Sequence, residues 1–328
     1  MSCTRELSIT IETDMPLNSA AYEPGRNKIY ACRGGYVFRF ESNGAREASS
    51  RFIAPEMDDT YLDYDSTTDR VWAVMKRSFG SPSDASFPAK YLVSIHPDTL
   101  AATTYNFRNQ VTNGDNWTGS LEGPKLIKVV SGIAFTLSYT QATQEQIKQI
   151  HRWDLTTSPP SETHSFASVN GGAWGDLHYD GSVLWYCSND GFNSIDARTI
   201  ATLAAHTDSV LLDGSADRPY GITRNPGGAI YAVQATQFIL KGTPAAAPAL
   251  RTVIDLGRAN ATPFNIKYNA VDSRIYIPCW KDDSVVVLNP ADDSFVVKTG
   301  FDSPFDVVFT AAKKFAVQHG PVGLKEIV

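Results

Sequence analysis

Long apolar runs are absent from this 328-residue chain, and none approaches the roughly 20 consecutive residues that a membrane-spanning helix requires, so membrane insertion is not expected. Charge of one sign is never gathered into blocks. The 35 acidic and 29 basic residues are scattered, to a net charge of -6, which argues against nucleic acid as the main ligand. Cysteine is scarce: four residues, with no Cys-x-x-Cys pair and hence no zinc signature. No HExxH, GxSxG or GxxxxGK motif occurs, so none of those chemistries is specified. The start, MSCTRELSITIETD, lacks the basic, apolar and small-residue regions of a secretory signal, and classical export is not expected. Helical periodicity is nearly missing too, its longest trace being QATQEQIKQI at 141–150.

What is present is a repeat. A small residue, an aliphatic and an aromatic recur as NKIYAC, DRVWAV, SGIAFTL, SVLWYC, GAIYAV, SRIYIP and KKFAVQ, anchored at Tyr30, Trp72, Phe135, Trp185, Tyr231, Tyr276 and Ala316. Successive anchors lie 42, 63, 50, 46, 45 and 40 residues apart, the period of a blade-like unit. A strand precedes each anchor, opened by proline in RPYGITRNPGGAIY, TPFNIKYNAVDSRIY and SPFDVVFTAAKKFA, and two more follow. Between the third and fourth strands stand Glu41, Asp154, Asp196 and Asn289, expected to bond their own backbone.

Four antiparallel strands in seven units predict an all-β, seven-bladed β-propeller forming one domain over 1–328. The blades are expected at about 19–52, 60–107, 123–167, 174–207, 219–256, 263–300 and 304–328, the last closed by an N-terminal strand at about 6–13. The stretch 263–309, with its proline opening, Tyr anchor, SVVVLNP strand and Gly-x-x-x-Pro step, resembles the YVTN family of β-propeller repeats. WD-repeat propellers fit less well, because Trp153-Asp154 is the sole Trp-Asp pair and no matching Gly-His precedes each blade.

In such a blade the second-to-third connection and the step to the next blade emerge on one face. The longest segments expected to be irregular, 76–90, 108–123 and 138–149, all fall there, over blades 2 and 3. Ordering long loops costs entropy without adding to a core, so this face is the expected contact surface, with Phe79, Phe87 and Trp117 as aromatic anchors. Trp117 beside Asn113, Asp115 and Asn116 is a candidate platform for a sugar ring.

Cys32, Cys187 and Cys279 share one position on non-adjacent blades and are expected to be buried thiols, with Cys3 in the terminus. The six histidines are dispersed. In GDLHYD, Asp176 and His178 sit at alternate positions of a first strand, where they are expected to give the central channel its polarity. LEGPKL resembles the opening metal-binding motif of gluconolactonase-like propellers. That resemblance implies a channel Ca or Zn site with Glu122 as a ligand, and Asp176, Asn265 and Asp306 as further oxygen donors on other blades. Otherwise neither cofactor nor metal is expected.

The closing stretch KKFAVQHGPVGLKEIV is similar to propeller proteins of tailed-phage virions. That resemblance implies a non-enzymatic structural or host-attachment component of a tail, partnered by other proteins of the assembly and by a host-surface glycan. The alternatives are a metal-dependent hydrolase using the channel and a cytoplasmic protein-interaction scaffold. The expected location is the virion for a phage-encoded chain and the cytoplasm otherwise.

Overall fold

The computed structural model describes residues 17–52, 59–76, 90–106, 126–142, 145–168, 176–186, 194–213, 219–234, 236–259, 261–263, 265–319 and 323–328. Seven antiparallel sheets, the blades, occur among them. Blade 1 holds β1 (Ser19–Glu23), β2 (Lys28–Arg33), β3 (Tyr36–Glu41) and β4 (Arg46–Phe52); blade 2 holds β5 (Asp59–Asp65), β6 (Arg70–Lys76), β7 (Lys90–Ile95) and β8 (Ala102–Asn106). Blade 3 comprises β9 (Leu126–Val130), β10 (Ile133–Ala142), β11 (Glu145–Asp154) and β12 (Ser161–Ser168), and blade 4 β13 (Leu177–Asp180), β14 (Val183–Tyr186), β15 (Ser194–Thr199) and β16 (Ala205–Leu211). Blade 5 follows with β17 (Pro219–Arg224), β18 (Ile230–Gln234), β19 (Phe238–Gly242) and β20 (Thr252–Asp255), then blade 6 with β21 (Lys267–Asn269), β22 (Arg274–Cys279), β23 (Ser284–Leu288) and β24 (Phe295–Thr299). Blade 7 has three described strands, β25 (Pro304–Phe309), β26 (Lys314–Gln318) and β27 (Leu324–Glu326).

Alternation along the second strands joins these sheets into a ring. On β2, Tyr30 and Cys32 pack against Val71, Ala73 and Met75 of blade 2, while Ile29 and Ala31 pack against Phe315 and Val317 of blade 7. Seven apolar clusters result, each drawn from two neighbouring blades, and the one shared by blades 7 and 1 closes the circle. Each large side chain buried in such a cluster contributes roughly 1.5–3 kcal/mol. The fold is therefore a seven-bladed β-propeller.

The anchors Tyr30, Trp72, Phe135, Trp185, Tyr231 and Tyr276 are at most 3% exposed, and each faces the following blade. In blade 7 the expected anchor is corrected. Ala316 faces back into the cluster shared with blade 6, and Phe315 takes the anchor position against blade 1. In KKFAVQ the aromatic precedes the alanine by one residue, and one step along a strand reverses the face.

A second correction concerns 138–149, expected to be irregular. The β10–β11 ladder runs on from Ser138↔Gln149 to Ala142↔Glu145, as a hairpin that outruns the five-residue β9. Proline opens β17 and β25, and in both a bulge follows, at Tyr220 and Phe305, absorbing the register slip beside a residue that cannot donate to a ladder. Pro263 instead makes only an isolated bridge to Cys279, and β21 begins at Lys267. The N-terminal strand expected at 6–13 lies outside the described residues; the first described residue, Leu17, donates its N–H to Gln318 of β26 at 3.0 Å. Among the described residues no helix is long and apolar enough to cross a membrane.

Candidate functional site

The residues of each inner strand that lie on the same side as the anchor reach toward the next blade. Asp63 accepts the N–H of Val129 in blade 3 (2.9 Å), and Asp176 that of Ile222 in blade 5 (3.0 Å). Thr223 accepts from Tyr268 N–H in blade 6 (3.2 Å), and Asn265 Nδ2 donates to Asp306 in blade 7 (2.7 Å). Ser19 Oγ donates to Leu62 C=O in blade 2 (3.4 Å), and Asp306 closes the circle by accepting Ala20 N–H in blade 1 (3.4 Å). Asp63, Asp176, Asn265 and Asp306 also accept the N–H of their own following residue. Each side chain thus satisfies backbone donors that the inner edge of a sheet leaves open.

Sequence reasoning found Asp176, Asn265 and Asp306 but missed Asp63, Thr223, Lys128 and Lys267. A usable signal existed. Asp63, Lys128, His178, Thr223 and Lys267 pair across the sheet with the anchors Trp72, Phe135, Trp185, Tyr231 and Tyr276. A polar residue some seven to nine positions ahead of the aromatic therefore marks the ring.

Between blades 3 and 4 the ring position belongs to Lys128. Burial alone would lower its basicity, but Asp176, Asp63 and Asp306 face the ammonium and hold it above the ordinary lysine value. Burial raises Asp63 and Asp176 despite the opposing pull of Lys128. His178 is pushed down to about 3 by burial and by the charges of Lys128 and Arg224, so it is neutral at pH 7 and a poor base. Lys267 Nζ bonds Asp306 (2.9 Å) and Val307 C=O (2.8 Å).

These contacts test the metal-site expectation. Asn265 and Asp306 do meet, but their oxygens are engaged by backbone N–H groups, by each other and by Lys267. Asp176 accepts two backbone donors, and the Lys128 ammonium already supplies the cation facing these carboxylates. Such a donor set fits a divalent ion poorly. Among the described residues no group of three or more His, Cys, Asp or Glu side chains is placed to hold one. Glu122 lies outside the described residues.

The two faces differ. On one, the turns between first and second strands span two to five residues, and four of them are closed by a polar side chain at the strand's end or the turn's first position. Glu23 accepts Arg26 N–H (2.6 Å), Asp65 accepts Thr68 N–H (2.9 Å), Asn225 accepts Ala229 N–H (2.9 Å) and Thr310 accepts Lys313 N–H (2.9 Å). Arg26 then forks onto Asp69 (2.7 and 2.8 Å) and Asp98 (2.6 Å) of blade 2, holding Asp69 down at about 2. Tyr30 and Tyr231 reach the same kind of neighbouring turn through Pro97 C=O (3.0 Å) and Pro290 C=O (3.3 Å). Of the four residues expected at third-to-fourth turns, Asp154 and Asn289 accept N–H groups of Thr156 and Ala291, whereas Glu41 pairs with Lys28; Asp196 is corrected, lying inside β15 opposite Tyr186, to which it bonds, because that strand runs on to Thr199.

The opposite, loop face carries, in blades 2 and 3, the strand ends that bound the longest connections, Lys76 and Lys90, then Asn106 and Leu126, together with the far ends of the β10–β11 hairpin, Ala142 and Glu145. Phe79, Phe87, Asn113, Asp115, Asn116 and Trp117 lie outside the described residues. Cys32 and Cys279 are fully buried free thiols; burial raises both, Cys279 to about 12. Cys3 and Cys187 lie outside the described residues.

Comparison with protein-family models and with curated proteins gives no match. Among solved structures the chain is similar to hydrazine synthase from Kuenenia stuttgartiensis (12% identity, 98% of each chain, TM-score 0.64). It is also similar to a chain of the mitotic checkpoint complex (10% identity, 92% of this chain and 87% of that one, TM-score 0.62) and to Saccharomyces cerevisiae Sqt1 (9% identity, 95% of each chain, TM-score 0.59). At such identities the likeness establishes the propeller fold and nothing finer.

Proposed function

We propose that this propeller is a non-enzymatic recognition and assembly module, a rigid disc that engages protein partners through its loop face. The observation that carries the reading is the asymmetry of the faces: turns on one side are closed on themselves and on the neighbouring blade, while the strand ends that bound the long connections and the extended β10–β11 hairpin share the other. The paired-off carboxylates and the weakly basic His178 favour this over a channel hydrolase. Within it, the likeness of the closing stretch to tailed-phage propellers supports a tail or virion component, with Trp117, flanked by Asn113, Asp115 and Asn116, stacking on a host glycan and Phe79 and Phe87 widening the contact.

Lysine cross-linking of the protein within its native assembly tests the reading. Inter-protein links are expected at Lys76, Lys90, Lys125 and Lys148, which flank the long connections and the hairpin; links confined to Lys28, Lys241 and Lys313 on the turn face refute it. Deleting 78–89 is expected to leave the unfolding temperature unchanged and to weaken assembly. On a glycan array, equal binding by wild type and Trp117→Ala removes the sugar role.

A further inference from the structure

A second polar constellation on the loop face lies away from the long connections, where blade 7 meets blade 1. β2 ends at Arg33, held by a Gly34-Gly35 turn in which both residues have positive φ (48° and 81°), so the chain reverses at once and leaves Arg33 at the sheet end. β26 ends at Gln318, and His319 follows. The pair Leu17 and Asn18 ties these two ends together, Leu17 N–H donating to Gln318 C=O and Asn18 N–H to Cys32 C=O, both at 3.0 Å. Arg33 and His319, 286 positions apart in the chain, are thereby brought near enough for the arginine charge to act on the imidazole. His319 stacks on Phe305, the bulged residue of β25, with ring centroids 4.9 Å apart and planes 20° apart.

Each side chain has an unspent nitrogen. Arg33 Nη1 and His319 Nε2 are covered and have no hydrogen-bond partner, and among the described residues no carboxylate forms an ion pair with this guanidinium. Other arginines of the ring do find acceptors: Arg26 has Asp69 and Asp98, Arg224 has Asp180, Arg251 has Asp213 and Arg258 has Asp282. Burial without compensation lowers Arg33 to about 10. It also lowers His319, as does the charge of Arg33, against the opposing pull of Asp302, so the imidazole is neutral. A desolvated guanidinium without a counterion is costly to hold, and an arriving oxyanion removes that cost.

We propose that Arg33 and His319, backed by Phe305, form a subsite for a carboxylate group of a bound ligand. A monoanion matches one guanidinium beside a neutral imidazole, whereas a phosphate dianion carries a second charge that the site does not neutralise and meets twice the repulsion from Asp302. The planar Phe305–His319 stack suits a flat group bonded edge-on by the arginine.

NMR of the full chain, following the His319 imidazole and Arg33 side-chain resonances during titration with acetate and, separately, inorganic phosphate, tests the assignment. Acetate is expected to give saturable shifts at both residues and to raise the His319 titration midpoint. Arg33→Ala is expected to weaken binding at least tenfold, and Arg33→Lys to retain part of it. His319→Gln, which keeps a donor, is expected to preserve the Arg33 response, and thermal unfolding of each variant separates lost binding from lost fold. Absent saturation in the folded wild type, an acetate response unchanged in folded Arg33→Ala, or tighter binding of phosphate than of acetate overturns the proposal.

Discussion

The turn face and the loop face of this propeller are made by the same strands, yet they spend their polar groups differently. On the turn face polar side chains close their own turns and grip the next blade, as Arg26 does with Asp69 and Asp98 and Lys241 with Asp293, so those groups are already engaged. The loop face carries the strand ends that bound the long connections, and there Arg33 Nη1 and His319 Nε2 end without a hydrogen-bond partner. The difference teaches where a closed ring can carry function. Stability comes from the wedges and the inner ring, and only groups not enlisted there are free for ligands.

Four perturbations sharpen that contrast, beginning with the wedges common to both faces. Phe315→Ala is expected to cost about 4 kcal/mol in denaturant unfolding, and Ala316→Gly about 1 kcal/mol; the reverse order contradicts the anchor assignment in blade 7. Next is the inner ring. Asp306→Ala strands Lys267, Asn265 and two backbone donors in a site only 2% exposed, and a loss of about 3 kcal/mol is expected from the same measurement.

The third perturbation is acid. His178 has a folded-state value near 3, below its unfolded one, so the folded state binds fewer protons. The resulting stability is fully present above about pH 6.5 and is lost as pH falls toward 3, on the order of 3 kcal/mol by pH 4. Buried Asp63 and Asp176, with raised values, act in the opposite direction, so their contribution is present only at the acid end and lost as pH rises. His178→Gln is expected to flatten the unfolding profile between pH 6.5 and 4, and an unchanged slope sinks the assignment. The smallest effect belongs to the turn face itself. Arg26→Ala breaks well-formed but solvent-screened pairs, and no more than about 1 kcal/mol is expected, shrinking further at high salt.

Much of the fold was legible because the aromatic anchors report a strand that is buried on both sides. Tyr30, Trp72, Phe135, Trp185, Tyr231 and Tyr276 recur at a blade's spacing and occupy equivalent places. Where the pattern slipped by one residue, at Phe315 and Ala316, local spacing had no means of choosing the face; the pairing of Phe315 with Val308 and the wedge against blade 1 did so. The 138–149 segment looked like a loop because its residues are polar, but a β ladder is made by backbone groups and accepts them. Asp176, Asn265 and Asp306 were visible as channel candidates, yet their use as links between blades rests on donors from strands far along the chain.

The amino-acid sequence by itself determined the number of blades, the repeat and most of the residues that fill the wedges, because alternation and periodic aromatics are local properties that act before any long-range contact forms. Only the tertiary structure decided which carboxylates bind backbone instead of remaining free, and that Arg33 should stand beside His319. Ring closure brings the two ends of the chain together, and the desolvation that leaves a guanidinium unsatisfied exists only once the neighbouring blades have excluded water.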